Sequence, residues 1–152
     1  MVRFAIYADR EEDSRALIPL LRDATRKRGK WALIQPFIGA QELPRYLTFV
    51  RRNPYLVMVV AASGTHGREA AVKIRQNNRA ARMLWFSDRE NGAESYRIHV
   101  DCFGLLPPTA ESVALALDTC GISTVKPQGE EYLTRQSVPQ EETSNKSKID
   151  QN

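Results

Sequence analysis

The stretch Tyr55-Leu56-Val57-Met58-Val59-Val60-Ala61, entered from Asn53-Pro54, decides the fold. Seven apolar residues in a row leave no polar face for solvent, so the run reads as a strand covered on both sides, the kind found in parallel sheets packed between helices. The chain alternates outward from it in both directions. On the N-terminal side Arg3-Phe4-Ala5-Ile6-Tyr7-Ala8 is a short run of strand formers, stopped by Asp9-Arg10-Glu11-Glu12. Asp13-Ser14 offers cap oxygens, and Leu17, Leu20, Leu21 and Ala24 recur at helical spacing up to Lys30. Pro19 lies inside that helix, where it costs a backbone bond or moves the start downstream. Trp31-Ala32-Leu33-Ile34-Gln35-Pro36-Phe37 reads as a second strand, and Gly39 separates it from a helix marked by Leu43, Leu47 and Val50. Pro44 fits that helix only in its first turn.

On the C-terminal side residues 62–67 read as a small-residue loop, and a third helix carries Glu69, Ala70, Ala71, Val72, Ile74 and Arg75. Arg82-Met83-Leu84-Trp85-Phe86 is a fourth strand, 93–98 a short helix, Cys102-Phe103-Gly104-Leu105-Leu106 a fifth strand, and 112–117 part of a fifth helix. Five strands alternating with helices through short loops predict right-handed crossovers and a three-layer, doubly wound parallel (βα)5 sheet.

The 152 residues are enough for one domain, placed at 1–120, and the composition, 42% hydrophobic and 26% charged, is that of a globular protein. From about Gly121 hydrophobic periodicity ends, and 121–152 reads as a disordered tail rich in Ser, Gln, Thr, Asn, Glu and Lys. No apolar run is long enough to span a membrane and no signal peptide is visible, so a cytoplasmic protein without membrane partners is expected. Cys102 and Cys120 have neither metal spacing nor the number for a disulfide framework, and both are expected to be reduced. The net charge is +4, and residues 1–120 hold 18 basic and 13 acidic side chains. Arg22, Arg26, Lys27, Arg28 and Lys30 cluster at the end of the first helix, and Arg51 and Arg52 end the second. Such clusters attract anions, nucleic acid included, but cations also suit helix C-termini, and that plainer reading is preferred. His66 and His99, the only histidines, read as solvated loop residues. No glycine-rich phosphate fingerprint, zinc spacing or nucleophile elbow is present, and neither a cofactor nor a metal is expected.

His66-Gly67-Arg68-Glu69-Ala70-Ala71-Val72-Lys73-Ile74-Arg75 resembles the opening of the third helix in receiver domains of bacterial response regulators, above all those with a LytTR-type output domain. Asp101-Cys102-Phe103-Gly104-Leu105-Leu106-Pro107-Pro108 is similar to the family's fifth strand with its terminal Leu-Lys-Pro. The resemblance covers about residues 2–120 and implies a flavodoxin-like CheY-type fold. It also implies where phosphoryl chemistry would sit, and those positions are degenerate. Val59 stands for the acceptor aspartate, Ala8 and Asp9 for the paired acids that hold Mg²⁺, Pro107 for the charge-neutralising lysine, and Gly104 for the aromatic switch, with Phe103 beside it on the opposite face. Ser87 keeps the switch hydroxyl. No Asp or Glu lies between Asn53 and Gly67, so a slip in alignment does not restore an acceptor.

These degenerate positions imply a non-enzymatic, phosphorylation-independent module for two-component-type signalling or transcriptional regulation, with no catalytic residue, that binds a protein partner or a second copy of itself. The family's docking face of helix four, strand five and helix five would expose Arg97, His99, Asp101 and Glu111. The alternatives are a nucleic-acid-associated protein using the basic helix ends, without sequence specificity, and a small α/β enzyme. Against the first stands the lack of a recognition helix and of aromatics interleaved with the basic residues. Against the second stands the lack of a base, nucleophile or metal cluster at the strand ends. The peptide bond before Pro108 is expected to be cis, as at the family's Lys-Pro, and Thr109 to cap the last helix.

Overall fold

The structure is a computed structural model and describes residues 1–123. Strands β1 (Val2–Ala8), β2 (Ala32–Ile38), β3 (Val57–Ala61), β4 (Arg82–Ser87) and β5 (Cys102–Leu105) alternate with helices α1 (Glu11–Lys27), α2 (Leu43–Arg51), α3 (Gly64–Asn77), α4 (Gly92–Ile98) and α5 (Ala110–Thr119). All strands pair in parallel in the order β2-β1-β3-β4-β5. That is the flavodoxin-like arrangement. Among the described residues no helix is long and apolar enough to cross a membrane.

Every residue of β3 is buried, because the strand lies between β1 and β4 and both of its faces meet helices. Val57, Val59 and Ala61 join Phe4, Ile6, Leu84 and Phe86 under α1 and α5, where Leu17, Leu21, Val113 and Leu117 close the core. Met58 and Val60 join Ala5, Tyr7, Met83 and Trp85 under α2 and α3, with Tyr46, Val50 and Ile74. Tyr55, at the head of the apolar run, lies outside the strand and is almost wholly exposed.

Several local expectations change. Helix α1 begins at Glu11 with Arg10 as its N-cap, so Asp13 and Ser14 are inside the first turns and not caps. Three acids in that turn suit the positive end of the helix, and Asp13 takes the Arg10 guanidinium at 3.3 Å. The helix runs through Pro19, and Pro44 sits at the start of α2 as expected. The loop after β3 is only Ala62-Ser63, because α3 already starts at Gly64, whose φ of +70° suits glycine. Gly67 then packs so tightly under the strand end that a Cβ there would lie 2.4 Å from the Ala62 carbonyl. The cis peptide joins Leu106 and Pro107, not Pro107 and Pro108. Thr109 does cap α5, in a reciprocal capping box with Ser112. Past residue 120, Ile122 is still buried and its N–H donates to the Leu117 carbonyl at 2.9 Å. The rest of the expected tail, 124–152, lies outside the described residues.

Candidate functional site at the carboxyl edge of the sheet

Open α/β sheets present their sites beyond the carboxyl ends of the strands, where the chain reverses direction of winding. Here that edge gathers Ala8 and Asp9 after β1, Ala61 and Ala62 at β3, Ser87 and Asp88 at β4, and Leu106 and Pro107 at β5. The α3 N-terminus is drawn onto it by the short loop.

Ala8 is fully buried and offers only a methyl group. Asp9 is anchored through its backbone N–H to the Ala61 carbonyl at 3.0 Å. Its carboxylate accepts the Tyr7 hydroxyl at 3.1 Å and lies 3.2 Å from Nε2 of His66, which is also 3.4 Å from the Tyr7 oxygen. His66 therefore adjoins the site from the first turn of α3 and not from a loop, with half of its side chain still exposed to solvent. Burial first, and the neighbouring Asp9 charge second, push the Tyr7 phenol up from its ordinary range, so it stays a neutral hydrogen-bond donor.

Val59, expected at the acceptor position, is inside β3 and not at its end. It lies mid-strand between Ile6 and Leu84, fully buried, two residues below the edge. Only Ala62 and Ser63 join β3 to α3, so the position eight residues before Gly67 falls within the strand. The edge positions are Ala61 and Ala62, and neither side chain carries an oxygen. The Ala62 carbonyl is already taken by the Trp85 indole N–H at 3.1 Å.

Ser87 keeps its hydroxyl, but the hydroxyl is fully buried and committed. It accepts from the Asn91 amide at 3.0 Å and donates to Asp88 at 3.4 Å. The other Asp88 oxygen accepts the Gly64 N–H at 3.1 Å, and Asn91 donates to the Gly64 carbonyl at 3.1 Å while accepting from Arg68 at 3.2 Å. One hydroxyl has one proton to give, and here it is spent inside the protein. The result is a closed polar net that ties the start of α3 to the turn before α4.

At β5 the residue that steps over the edge is Leu106, whose N–H donates to the Ser87 carbonyl at 3.0 Å. Pro107 follows it. Neither carries charge. Phe103 stacks edge-on against Trp85 with ring centroids 5.6 Å apart, on the α2/α3 face. Gly104 lies on the other face, where a Cβ would come within 2.7 Å of the Phe86 ring, so the absent side chain makes room for that ring. Among the described residues no three His, Cys, Asp or Glu side chains are grouped as metal ligands.

The four expected docking residues do not form one patch. Arg97 and His99 share a hollow with Arg75 and Arg79 near the C-terminus of α4. Asp101 is tied down, accepting the Met83 N–H at 2.7 Å beside Arg75 at 3.4 Å. His99 ends α4 in the left-handed region at φ +65°, and its carbonyl accepts from Arg75 at 2.7 Å. Glu111 follows β5, and so stands at the opposite edge of the sheet from Asp101, which precedes it. What the sequence reading missed on this face is apolar. Tyr96 is 83% exposed and Leu115 63%, with the outer strand β5 and the partly exposed Leu105 between their helices. Leu115 is legible afterwards as the apolar residue off the buried Val113, Ala116 and Leu117 stripe of α5.

No protein-family model matches the chain, and no curated protein does. Solved structures match its fold. A pilus assembly-related protein from Burkholderia pseudomallei superposes with a TM-score of 0.59 at 15% identity, over 84% of this chain and 95% of the other. The REC domain of AraT, a response regulator from Geobacillus stearothermophilus, gives 0.57 at 15% identity over 80% and 95%. HP1043, an orphan response regulator of H. pylori, gives 0.52 at 12% identity over 77% and 93%. At such identities the likeness is one of fold, and the fold is that of CheY-like receiver domains.

Proposed function

We propose that this chain is a receiver-fold signalling module that acts by docking onto a protein, with no phosphoryl transfer at its carboxyl edge. The observation that carries the reading is the state of Ser87. In a working receiver that hydroxyl must be free to follow a phosphoryl group, whereas here it is buried and held by Asn91 and Asp88. The alanines at the end of β3 and the uncharged Leu106 and Pro107 support it. So does the likeness to structures described as response regulators, one of them an orphan.

The surface assigned to docking is the one made by α4, β5 and α5. Tyr96, Leu105 and Leu115 present apolar area there, and a hollow between α4 and β5 is lined by Ser95, Tyr96, Val100 and Phe103. Exposed aromatic and aliphatic anchors beside a hollow are the usual energetic centre of a protein interface. A photo-crosslinking amino acid placed at Tyr96 or Leu115 in the cell of origin tests this. The expected result is one discrete protein adduct from both positions and none from control positions at Thr48 or Lys73. Equal labelling from all four positions, or adducts from the controls alone, would remove the assignment.

A further inference from the structure

The amino edge of the sheet, opposite the candidate site, carries the basic clusters of the sequence, and the fold brings to it what the sequence lacked. The C-termini of α1, α2 and α3 and the starts of all five strands meet there. Its acids are engaged: Asp23 with Arg26 at 2.9 Å, Asp118 with Arg28 at 2.9 Å, and Asp101 with Arg75 and the Met83 N–H. Among the described residues Lys30, Arg52, Arg79 and Arg82 have no carboxylate within 4.0 Å. The helix dipole accounts for Arg26, Lys27 and Arg51, which sit in last turns. It does not account for Lys30, Arg79 and Arg82, which lie beyond the helix ends.

Two aromatic side chains stand among these cations. Trp31 is 77% exposed just before β2, and Tyr55 is 97% exposed two residues before β3. The strand β1 separates β2 from β3, so the strands that these two residues lead into lie about 10 Å apart, two strand spacings. Next to Tyr55 a hollow of about 260 Å³ is lined by Pro54, Leu56, Val57, Ala80, Ala81 and Arg82. Leaving a Trp and a Tyr in water forgoes burial that the fold gives to Trp85, Tyr7 and Tyr46.

We infer that this edge binds single-stranded nucleic acid without sequence preference, bases stacking on Trp31 and Tyr55 and phosphates meeting Lys30, Arg52, Arg79 and Arg82. Flat aromatic faces interleaved with unpaired cations are what a single strand recognises, since every base has a face to stack and every linkage a charge. A duplex hides its faces and would leave the aromatics unused. A membrane surface would also meet the cations, but it offers no planar base to stack on two exposed aromatic rings. The inference does not depend on the docking function proposed above.

The test uses the full chain and a fluorescein-labelled oligothymidylate of about twenty nucleotides, read by anisotropy and by tryptophan emission. Trp85 is fully buried, so quenching on binding reports Trp31. With four phosphate contacts, affinity should fall about fiftyfold between 50 and 200 mM salt, from a slope of about −0.7 per contact. Trp31→Ala and Tyr55→Ala should each weaken binding about tenfold, on the order of one stacked base. Arg52→Glu with Arg79→Glu should abolish it. All four side chains are on the surface, and an unchanged circular dichroism spectrum checks that the fold persists. The inference is overturned by no binding at 50 mM salt, by binding indifferent to both aromatic substitutions, by equal affinity for the matching duplex, or by binding to phosphatidylserine vesicles with none to the oligonucleotide.

Discussion

The two edges of one sheet have opposite characters. The carboxyl edge holds Asp9, Glu11, Glu12, Asp13, Asp88 and Glu111, and many of its polar atoms bond to one another beside a helix that only two residues separate from β3. The amino edge holds most of the basic residues, with its few acids already paired and two large aromatic rings in water. Part of this polarity follows from helix direction alone, since acids gather at helix starts and bases at helix ends. The remainder is a difference of closure. At the carboxyl edge the hydroxyl of Ser87 and the carboxylate of Asp88 are bonded within the protein, whereas at the amino edge cations and two aromatic rings face solvent.

That contrast predicts that the two edges respond differently to substitution. The largest effect belongs to Gly67→Ala, because the new methyl would meet the Ala62 backbone at 2.4 Å and main chain cannot swing aside. Overpacking of this kind costs about 3 kcal/mol, read as a lower urea midpoint at unchanged slope. An unchanged midpoint would mean that the α3 start is not held against β3. Next comes Asn91→Ala, which strips the partners of Ser87, Gly64 and Arg68 in a buried place and should cost about 2 kcal/mol. If Asn91→Ala were neutral, the polar net would not be what closes the edge.

A third expectation concerns pH. Burial pushes the Cys120 thiol up to about 12 from its ordinary 9.0, with the Asp101 charge a lesser cause. Below pH 9 the thiol is protonated in both the folded and the unfolded chain, and it contributes no pH dependence. Above pH 9 the unfolded chain loses this proton and the folded chain keeps it, so stability falls with rising pH until about 12. The slope from this one group is about 1 kcal/mol per pH unit. Cys120→Ala should remove that share of the alkaline slope, as read from urea unfolding at pH 9 and 10. A slope identical in wild type and variant would place the thiol in water. The smallest effects belong to the amino edge, where Trp31→Ala and Tyr55→Ala should change stability by less than about 0.5 kcal/mol. A loss of 2 kcal/mol at either would make that ring part of the core and blunt the contrast.

The fold was legible because β3 carries its burial in its own composition, and five alternations of strand and helix admit few topologies. The closed state of the carboxyl edge was half legible. Missing carboxylates are visible in a sequence, and no reading of Asn53 to Gly67 could supply one. The engagement of Ser87 was not visible, because it depends on Asn91 and Gly64, which lie far from each other in sequence and meet only because two residues join β3 to α3. The place of Val59 within the strand was hidden for the same reason. The amino edge was misread as lacking aromatics among its cations, since Trp31 and Tyr55 each begin a strand-like run and read as core. Only the strand boundaries, at Ala32 and Val57, leave them outside.

The central claim, that the carboxyl edge has lost phosphoryl chemistry, is tested most directly by intact-mass spectrometry of the full chain after incubation with acetyl phosphate and Mg²⁺. The account predicts an unchanged mass, because Ala61 and Ala62 offer no acceptor and Ser87 is spent on Asn91 and Asp88. A stoichiometric acid-labile gain of one phosphoryl group, mapped to Asp9 or Asp88, would contradict it.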